Sequence, residues 1–363
     1  MISIAKPLID NTEIDAVSEV MKSGNIAEGN KVSQFEKLFG EFIGVTHAIA
    51  VNSGTSALQL ALEAANIGLG DEVVTSSFSF IATANSILYS GSKPVFADIS
   101  YDSYTIDPDD VQHKITPRTK AVLPVHLYGH PAEMNALEDI AEDYNLVIIE
   151  DACQAHGAEY SGKKVGSFGI GTFSFYPTKN MTTGEGGIIT TNDSHFENIV
   201  RMMRSHGSKQ RYLHEMLGYN FRMTDISAAI GIAQLKKLNQ FNLKRRDNAR
   251  YLSAGLSHLK GIELPIVKQD CLHVFHQYTI RVTDECPIDR DSLIKKLEDH
   301  NIGTGIYYPI PIHKQPYYKE LGYNDVLEQT EIAAKQVISL PVHPGLSLDD
   351  LDYIINTIGG LIK

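Results

Sequence analysis

The chain has 363 residues, 43% apolar and 21% charged, enough for one large domain and a smaller one. Its net charge of -12, with no strongly basic block, argues against a nucleic-acid partner. Three scattered cysteines, Cys153, Cys271 and Cys286, form neither a disulfide framework nor a paired metal motif. No apolar run approaches the roughly 20 residues that cross a bilayer, and Met1-Ile-Ser-Ile-Ala-Lys-Pro lacks the pattern of a secretion signal. A soluble, cytoplasmic protein is expected.

Thr12 to Ser23 reads as a helix, with Thr12 and Asp15 as a capping pair and Ile14, Val17, Val20 and Met21 on one apolar face. A helix from Val32 to Phe42 leads into a strand, His47 to Val51. Asn52-Ser-Gly-Thr-Ser-Ala-Leu-Gln-Leu-Ala-Leu62 then places small hydroxyl residues and a glycine at a helix start. Free N–H groups and the positive helix end favour an anion there, although a plain N-cap gives the same pattern. Strands and helices alternate after it: strand Glu72 to Thr75, helix Ile81 to Leu88, strands Pro94 to Asp98 and Ala121 to His126, helix Met134 to Tyr144, strand Leu146 to Glu150. Such alternation implies a mostly parallel sheet covered on both faces, with ligands bound beyond the carboxyl ends of its strands. Asp151 stands at one such end.

The stretch Gly171 to Gly187 is the most informative. Its aromatic and β-branched first half suits a buried strand ending at Pro177; Lys179 follows at once, then Gly184, Gly186 and Gly187. A lysine at the end of a buried strand loses hydration, which lowers its pKa and makes it a candidate Schiff-base nucleophile; a solvated loop lysine is the alternative. Arg201, Arg204, His206, Lys209 and Arg211 mark a basic segment that suits phosphate contacts or a solvated loop. Thr224 caps a helix through Leu238. From about Val274 come strand, helix (Arg290 to His300), strand, the proline-rich Tyr307 to His313, and a helix from Ser347 with Asp350 completing a capping box. The expected division is a large domain over 12–240 and a smaller α+β domain over 241–363, with residues 1–11 packing on the latter.

An amine (Lys179), a carboxylate (Asp151), an anion-binding helix start (Gly54, Thr55, Ser56) and the aromatic loop Ser77-Phe-Ser-Phe80 are what pyridoxal phosphate (PLP) requires of a protein. The stretches Asn52-Ser-Gly-Thr-Ser-Ala-Leu, Ser79-Phe-Ile-Ala-Thr, Glu150-Asp-Ala-Cys-Gln-Ala-His-Gly-Ala158, Ser174 to Gly187, Gly218-Tyr-Asn-Phe-Arg-Met-Thr-Asp225 and Tyr308-Pro-Ile-Pro-Ile-His313 resemble the PLP-dependent nucleotide-sugar aminotransferases of the DegT/StrS family. That family has the fold-type-I architecture of the aspartate aminotransferase superfamily. The likeness runs over nearly the whole chain.

The resemblance implies an α/β fold with a mostly parallel central sheet. It makes Lys179 the cofactor-holding lysine and proton carrier, Asp151 the partner of the pyridine nitrogen and Gln154 the residue facing the ring hydroxyl. Phe80 would stack on the ring. Gly54, Thr55 and Ser174 would contact the phosphate, and so would Asn220, from the neighbouring subunit of a homodimer. Arg222 would face substrate or form an ion pair. His156 is expected to be structural, Cys153 a small core side chain, and Tyr176 stands where many relatives have histidine. The implied reaction carries an amino group, from L-glutamate, to a 3- or 4-keto nucleotide-linked sugar. A keto-cyclitol with glutamine as donor is an alternative. A pyridoxamine-dependent dehydratase would replace Lys179 by histidine, and a regulator on this fold would add a DNA-binding segment that the sequence lacks. Gly166-Ser-Phe-Gly-Ile-Gly171 has the wrong spacing for a dinucleotide-binding loop.

Overall fold

The computed structural model describes residues 1–362. The first helices are α1 (Asn11–Ser23) and α2 (Asn30–Ile43). β1 (His47–Val51) leads to α3 (Gly54–Ala64), β2 (Glu72–Ser76) to α4 (Ile81–Tyr89), and β3 (Lys93–Ala97) to α5 (Pro108–Lys114). β4 (Thr119–Leu123), α6 (Met134–Tyr144), β5 (Val147–Asp151), β6 (Ile170–Ser174), β7 (Gly187–Thr191) and α7 (Ser194–Arg204) complete the first half.

These strands form one seven-stranded sheet in the order β1-β7-β6-β5-β4-β2-β3. β3, β2, β4, β5 and β6 pair in parallel, while β7 runs antiparallel to both β6 and β1. β2 and β4 are buried on both faces (Val73, Val74, Ala121, Val122 and Leu123 have no exposure), as parallel strands require. The carboxyl ends of β1, β2, β5 and β6 lie along one edge of the sheet. On β6 and just past it, Phe173 and Phe175 point to one side, against Phe39 and Phe35 of α2 at ring-centroid distances of 5.0 and 5.2 Å. Period-two alternation sends Ser174 and Tyr176 to the other side.

α8 (Asp225–Leu256) is a single helix of 32 residues. The expected end at Leu238 is incorrect, because the next buried positions of the helix are polar. Asn242, Arg245 and Asn248 are buried and hydrogen-bond backbone carbonyls, so the apolar periodicity lapses while the helix continues. α8 therefore joins two cores. Ala228, Ile232 and Leu238 pack with Phe35, Phe39 and Phe173; Ala249, Leu252 and Leu256 pack with the remainder of the chain.

That remainder contains an antiparallel sheet of β8 (Ile262–Glu263), β9 (Tyr278–Val282) and β10 (Val337–Leu340), with β9 in the middle. α9 (Arg290–Asp299), α10 (Glu328–Gln336) and α11 (Leu348–Ile362) accompany it. Ser347 and Asp350 form the expected capping box at α11. Ile2 bridges Ile302 and joins this second core.

α1 is capped by Asp10 rather than Thr12. Asp10 accepts from the Thr12 amide at 2.8 Å, and Glu13 accepts from the Asp10 amide at 3.0 Å. Ile14 and Met21 of the expected apolar face are exposed, whereas Glu13 is buried and paired with Lys237 of α8. Among the described residues no helix is long and apolar enough to cross a membrane.

Candidate active site

A cavity of about 400 Å³ opens at the carboxyl edge of the large sheet. Gly54, Thr55, Phe80, Asp151, Gln154, Ser174 and Lys179 all line it, together with Cys153 and Tyr176. Asn220 does not. It lies exposed, with its carbonyl accepting from Asn52 Nδ2 at 3.4 Å.

The segment after β6 folds back on the strand end. The amides of Lys179 and Thr183 donate to the carbonyls of Tyr176 and Phe175 (2.9 and 3.0 Å), and the Phe175 amide donates to Gly186 at 2.9 Å. Gly184 takes φ of 83°. A Cβ on Gly187 would sit 2.3 Å from the Ser53 carbonyl, so glycine there admits the start of α3 beside the lysine segment. Burial disfavours the charged form of Lys179 and holds its ammonium below the usual lysine range, against the opposing pull of Cys153 and Asp151.

Asp151 is fixed from two sides. Its Oδ2 accepts from the Thr83 hydroxyl at 2.8 Å, and its Oδ1 accepts from the Cys153 amide at 3.2 Å. Thr83 Oγ1 is in turn 2.8 Å from Ser79 Oγ. The neighbouring Glu150 points the other way. Its carboxylate accepts from the amides of Gly166, Phe168 and Gly169 at 2.7, 2.8 and 3.0 Å and lies 3.1 Å from His126 Nε2. The glycine-rich loop thus wraps a buried carboxylate, which explains why its spacing suits no nucleotide.

At the opposite wall, α3 begins with Ser53 as N-cap. Its hydroxyl takes the Ser56 amide at 3.1 Å and its carbonyl the Ala57 amide at 3.1 Å. Gly54 and Thr55, whose amides lack intrahelical acceptors, line the cavity. A Cβ on Gly54 would lie 2.6 Å from Ser174 Cβ and 3.2 Å from Cys153 Sγ, so only glycine lets the start of α3 close on the end of β6.

The second half of the chain supplies His276, Gln277, Tyr307 and Tyr308 to the cavity, of which Tyr307 and Tyr308 fall in the proline-rich stretch singled out above. Gln154 Oε1 accepts from the Tyr128 amide at 2.9 Å, and its Nε2 donates to Tyr308 Oη at 3.3 Å. Phe80 and Tyr308 have ring centroids 6.0 Å apart. His313 is anchored to Ser77, 2.6 Å from Nδ1 to Oγ, tying the 307–313 strap to the loop that carries Phe80.

His156 packs on Phe173 and Phe175 with neither ring nitrogen hydrogen-bonded, and burial pushes its pKa down to about 3. Arg201 and Arg204 pair with Glu36, and Arg204 also with Glu28, so these basic side chains brace α2 and α7. Arg222 stands 3.9 Å from Glu28.

The pattern of the DegT/DnrJ/EryC1/StrS aminotransferase family matches residues 7–359. GDP-perosamine synthase of Caulobacter vibrioides is 41% identical, covering 98% of this chain and 96% of its own. The crystal structure of DesV from S. venezuelae superposes with a TM-score of 0.93 at 39% identity, over 97% of this chain and 94% of that one. That of Bacillus subtilis NtdA with bound cofactor PMP does so at 0.90 and 35%, over 98% and 83%. The chain belongs to the DegT/DnrJ/EryC1/StrS aminotransferase family.

Proposed function

We propose that this aminotransferase binds PLP in the cavity around Lys179 and moves an amino group from an amino acid, L-glutamate, to a keto group of a nucleotide-linked sugar. The observation that carries the reading is the meeting, in one cavity, of a half-buried lysine whose pKa desolvation lowers, a carboxylate held by two donors and a helix N-terminus. The protein groups fit the cofactor. The amides of Gly54 and Thr55 with the Ser174 hydroxyl suit its phosphate, and all three residues line the one cavity. The PMP bound by NtdA and the nucleotide sugar named for GDP-perosamine synthase support cofactor and substrate class.

PLP, when bound, supplies an electron sink that stabilises negative charge at the carbon losing its proton. The chain supplies the rest. Lys179 Nζ, partly relieved of its proton by burial, would hold the cofactor by its aldehyde and, when the donor amine takes that place, would be the base that takes the donor α-proton and delivers it to the adjoining carbon. Asp151, oriented by Thr83 and the Cys153 amide, holds the ring nitrogen protonated. Gln154 Nε2 would face the ring hydroxyl, and Phe80 would offer a flat face for the ring. The donor leaves as a keto acid, and the keto acceptor becomes an amino sugar by the same steps in reverse.

A homodimer belongs to this reading. Asn220, outside its own cavity, would reach the phosphate in the partner's, and the exposed Tyr212 and Leu217 on the preceding loop (81% and 78%) would be covered. Absorbance tests the reading. The PLP-loaded protein should show a band near the visible edge that moves to shorter wavelength with L-glutamate and returns with a keto nucleotide sugar. A response to glutamine instead would redirect it to keto-cyclitols, and no band at all would overturn it.

A further inference from the structure

Behind the cavity, three segments meet on one face of α8. Asn242, in the middle of that helix, accepts at Oδ1 from Asn180 Nδ2 at 2.8 Å and donates from Nδ2 to the His156 carbonyl at 2.8 Å. Asn180 follows Lys179 directly, and its Nδ2 also donates to the Val274 carbonyl at 3.1 Å. One turn on, Arg245 Nη1 donates to the carbonyls of Phe275 and His276 at 3.2 and 3.3 Å. All four polar side chains (Asn180, Asn242, Arg245, His276) are at least nine-tenths buried. Positions 242 and 245 share a helix face. That face therefore holds together the lysine segment, the turn leaving Asp151, and the strap that carries His276 and Gln277 into the cavity. It does so midway between the two cores that α8 joins.

A buried amide that spends both ends on fixed partners is a geometric constraint as much as a source of stability, since moving any one segment leaves a polar group unpaired in a low-dielectric interior. Asn180 is its vulnerable member. Its Oδ1 is already unpartnered, so its orientation depends wholly on the bonds made by Nδ2. The backbone of Lys179 is one peptide away.

We infer that Asn180 and Asn242 are positioning residues for Lys179. They lock its segment to the strap bearing His276 and Gln277, so that Nζ stands in line for proton transfer. The inference rests on Lys179 being the reactive amine. A displacement of about 1 Å in a proton-transfer group costs up to about 100-fold in rate, whereas the outer binding groups of the cavity would be untouched.

The test is Asn242→Ala in the PLP-loaded dimer, mixed in a single turnover with L-glutamate carrying hydrogen or deuterium at Cα. The expected result is a half-reaction slowed about 10- to 100-fold with a larger isotope effect than the parent, because the proton step becomes slower relative to donor binding. In the cofactor-free protein, the pH midpoint for acylation of Lys179, read by mass spectrometry, should rise toward the ordinary lysine value as the segment loosens. Should Asn242→Ala not fold, Asn180→Ser removes the same hydrogen bond from its other side. A rate that falls only in proportion to lost cofactor, with isotope effect and acylation midpoint unchanged, would show a purely structural pair and overturn the inference. No half-reaction in the parent would overturn the assignment of Lys179, and the inference with it; a parent that reacts while the variant matches it overturns the inference alone.

Discussion

Thr83→Val isolates one contact. Thr83 and Asp151 are 1% and 5% exposed, and the hydroxyl donates to Oδ2 at 2.8 Å. Valine keeps the branched shape, so packing changes little and the charge-assisted hydrogen bond is removed. Such a bond contributes about 1.5–3 kcal/mol, or roughly 10- to 150-fold in an equilibrium constant. Asp151 would then be held only by the Cys153 amide at 3.2 Å and could turn from the cofactor nitrogen. Absorbance titration of the cofactor-free protein with PLP should show binding weakened about 10- to 100-fold, whereas Thr83→Ser, which keeps the hydroxyl, should stay within about threefold of the parent. Parental affinity in Thr83→Val, or equal damage in both variants, would refute the idea that this hydroxyl orients Asp151.

Other outcomes are expected. Lys179→Met should abolish the cofactor band and lower transamination by at least about 10²–10⁴-fold, the contribution of a positioned proton carrier. It should also raise the melting temperature of the cofactor-free protein. Because the folded pKa of Lys179 is depressed, the unfolded chain binds that proton more tightly, so the cost is present at neutral pH and vanishes above the ordinary lysine value near 10.5. Gly54→Ala should push the start of α3 off the end of β6, weakening PLP binding and destabilising the fold by about 1–3 kcal/mol, since the new methyl would meet Ser174 and Cys153. Acid should weaken the protein early. His130 and His156 are neutral when folded until about pH 4 and about pH 3, yet titrate near 6.5 unfolded, so stability is lost as pH falls through 6.5. Between pH 6 and 5 the pair alone should cost about 2–3 kcal/mol in urea melts, and His156→Phe should reduce that slope by about half.

The parallel sheet was legible because its strands are short apolar runs between amphipathic helices, and a buried parallel sheet leaves that trace. Lys179 stood out as the one cation after a strand whose alternate residues fill a core, and Asp151 as an acid closing another. Thr83 gave no sign. A threonine inside α4 looks like any other, and its importance arises only because that helix reaches the end of β5. The far end of α8 was hidden by its own function, since the polar residues that tie the cavity together occupy positions where periodicity calls for apolar ones. His276 and Gln277 come to the cavity from over 90 residues beyond Lys179 along the chain, and nothing local to them marks the encounter. The cap at Asp10 was missed because an acidic pair three residues apart, Asp10 and Glu13, competed with a similar-looking Thr12 and Asp15.

Reduction with borohydride after loading with PLP, followed by peptide mapping, asks the central question directly. A pyridoxyl label on the peptide containing Lys179, and its disappearance in Lys179→Met, is the predicted result. A label on another lysine, or none on a protein that has retained its fold, would contradict the assignment of Lys179 and of the cavity around it.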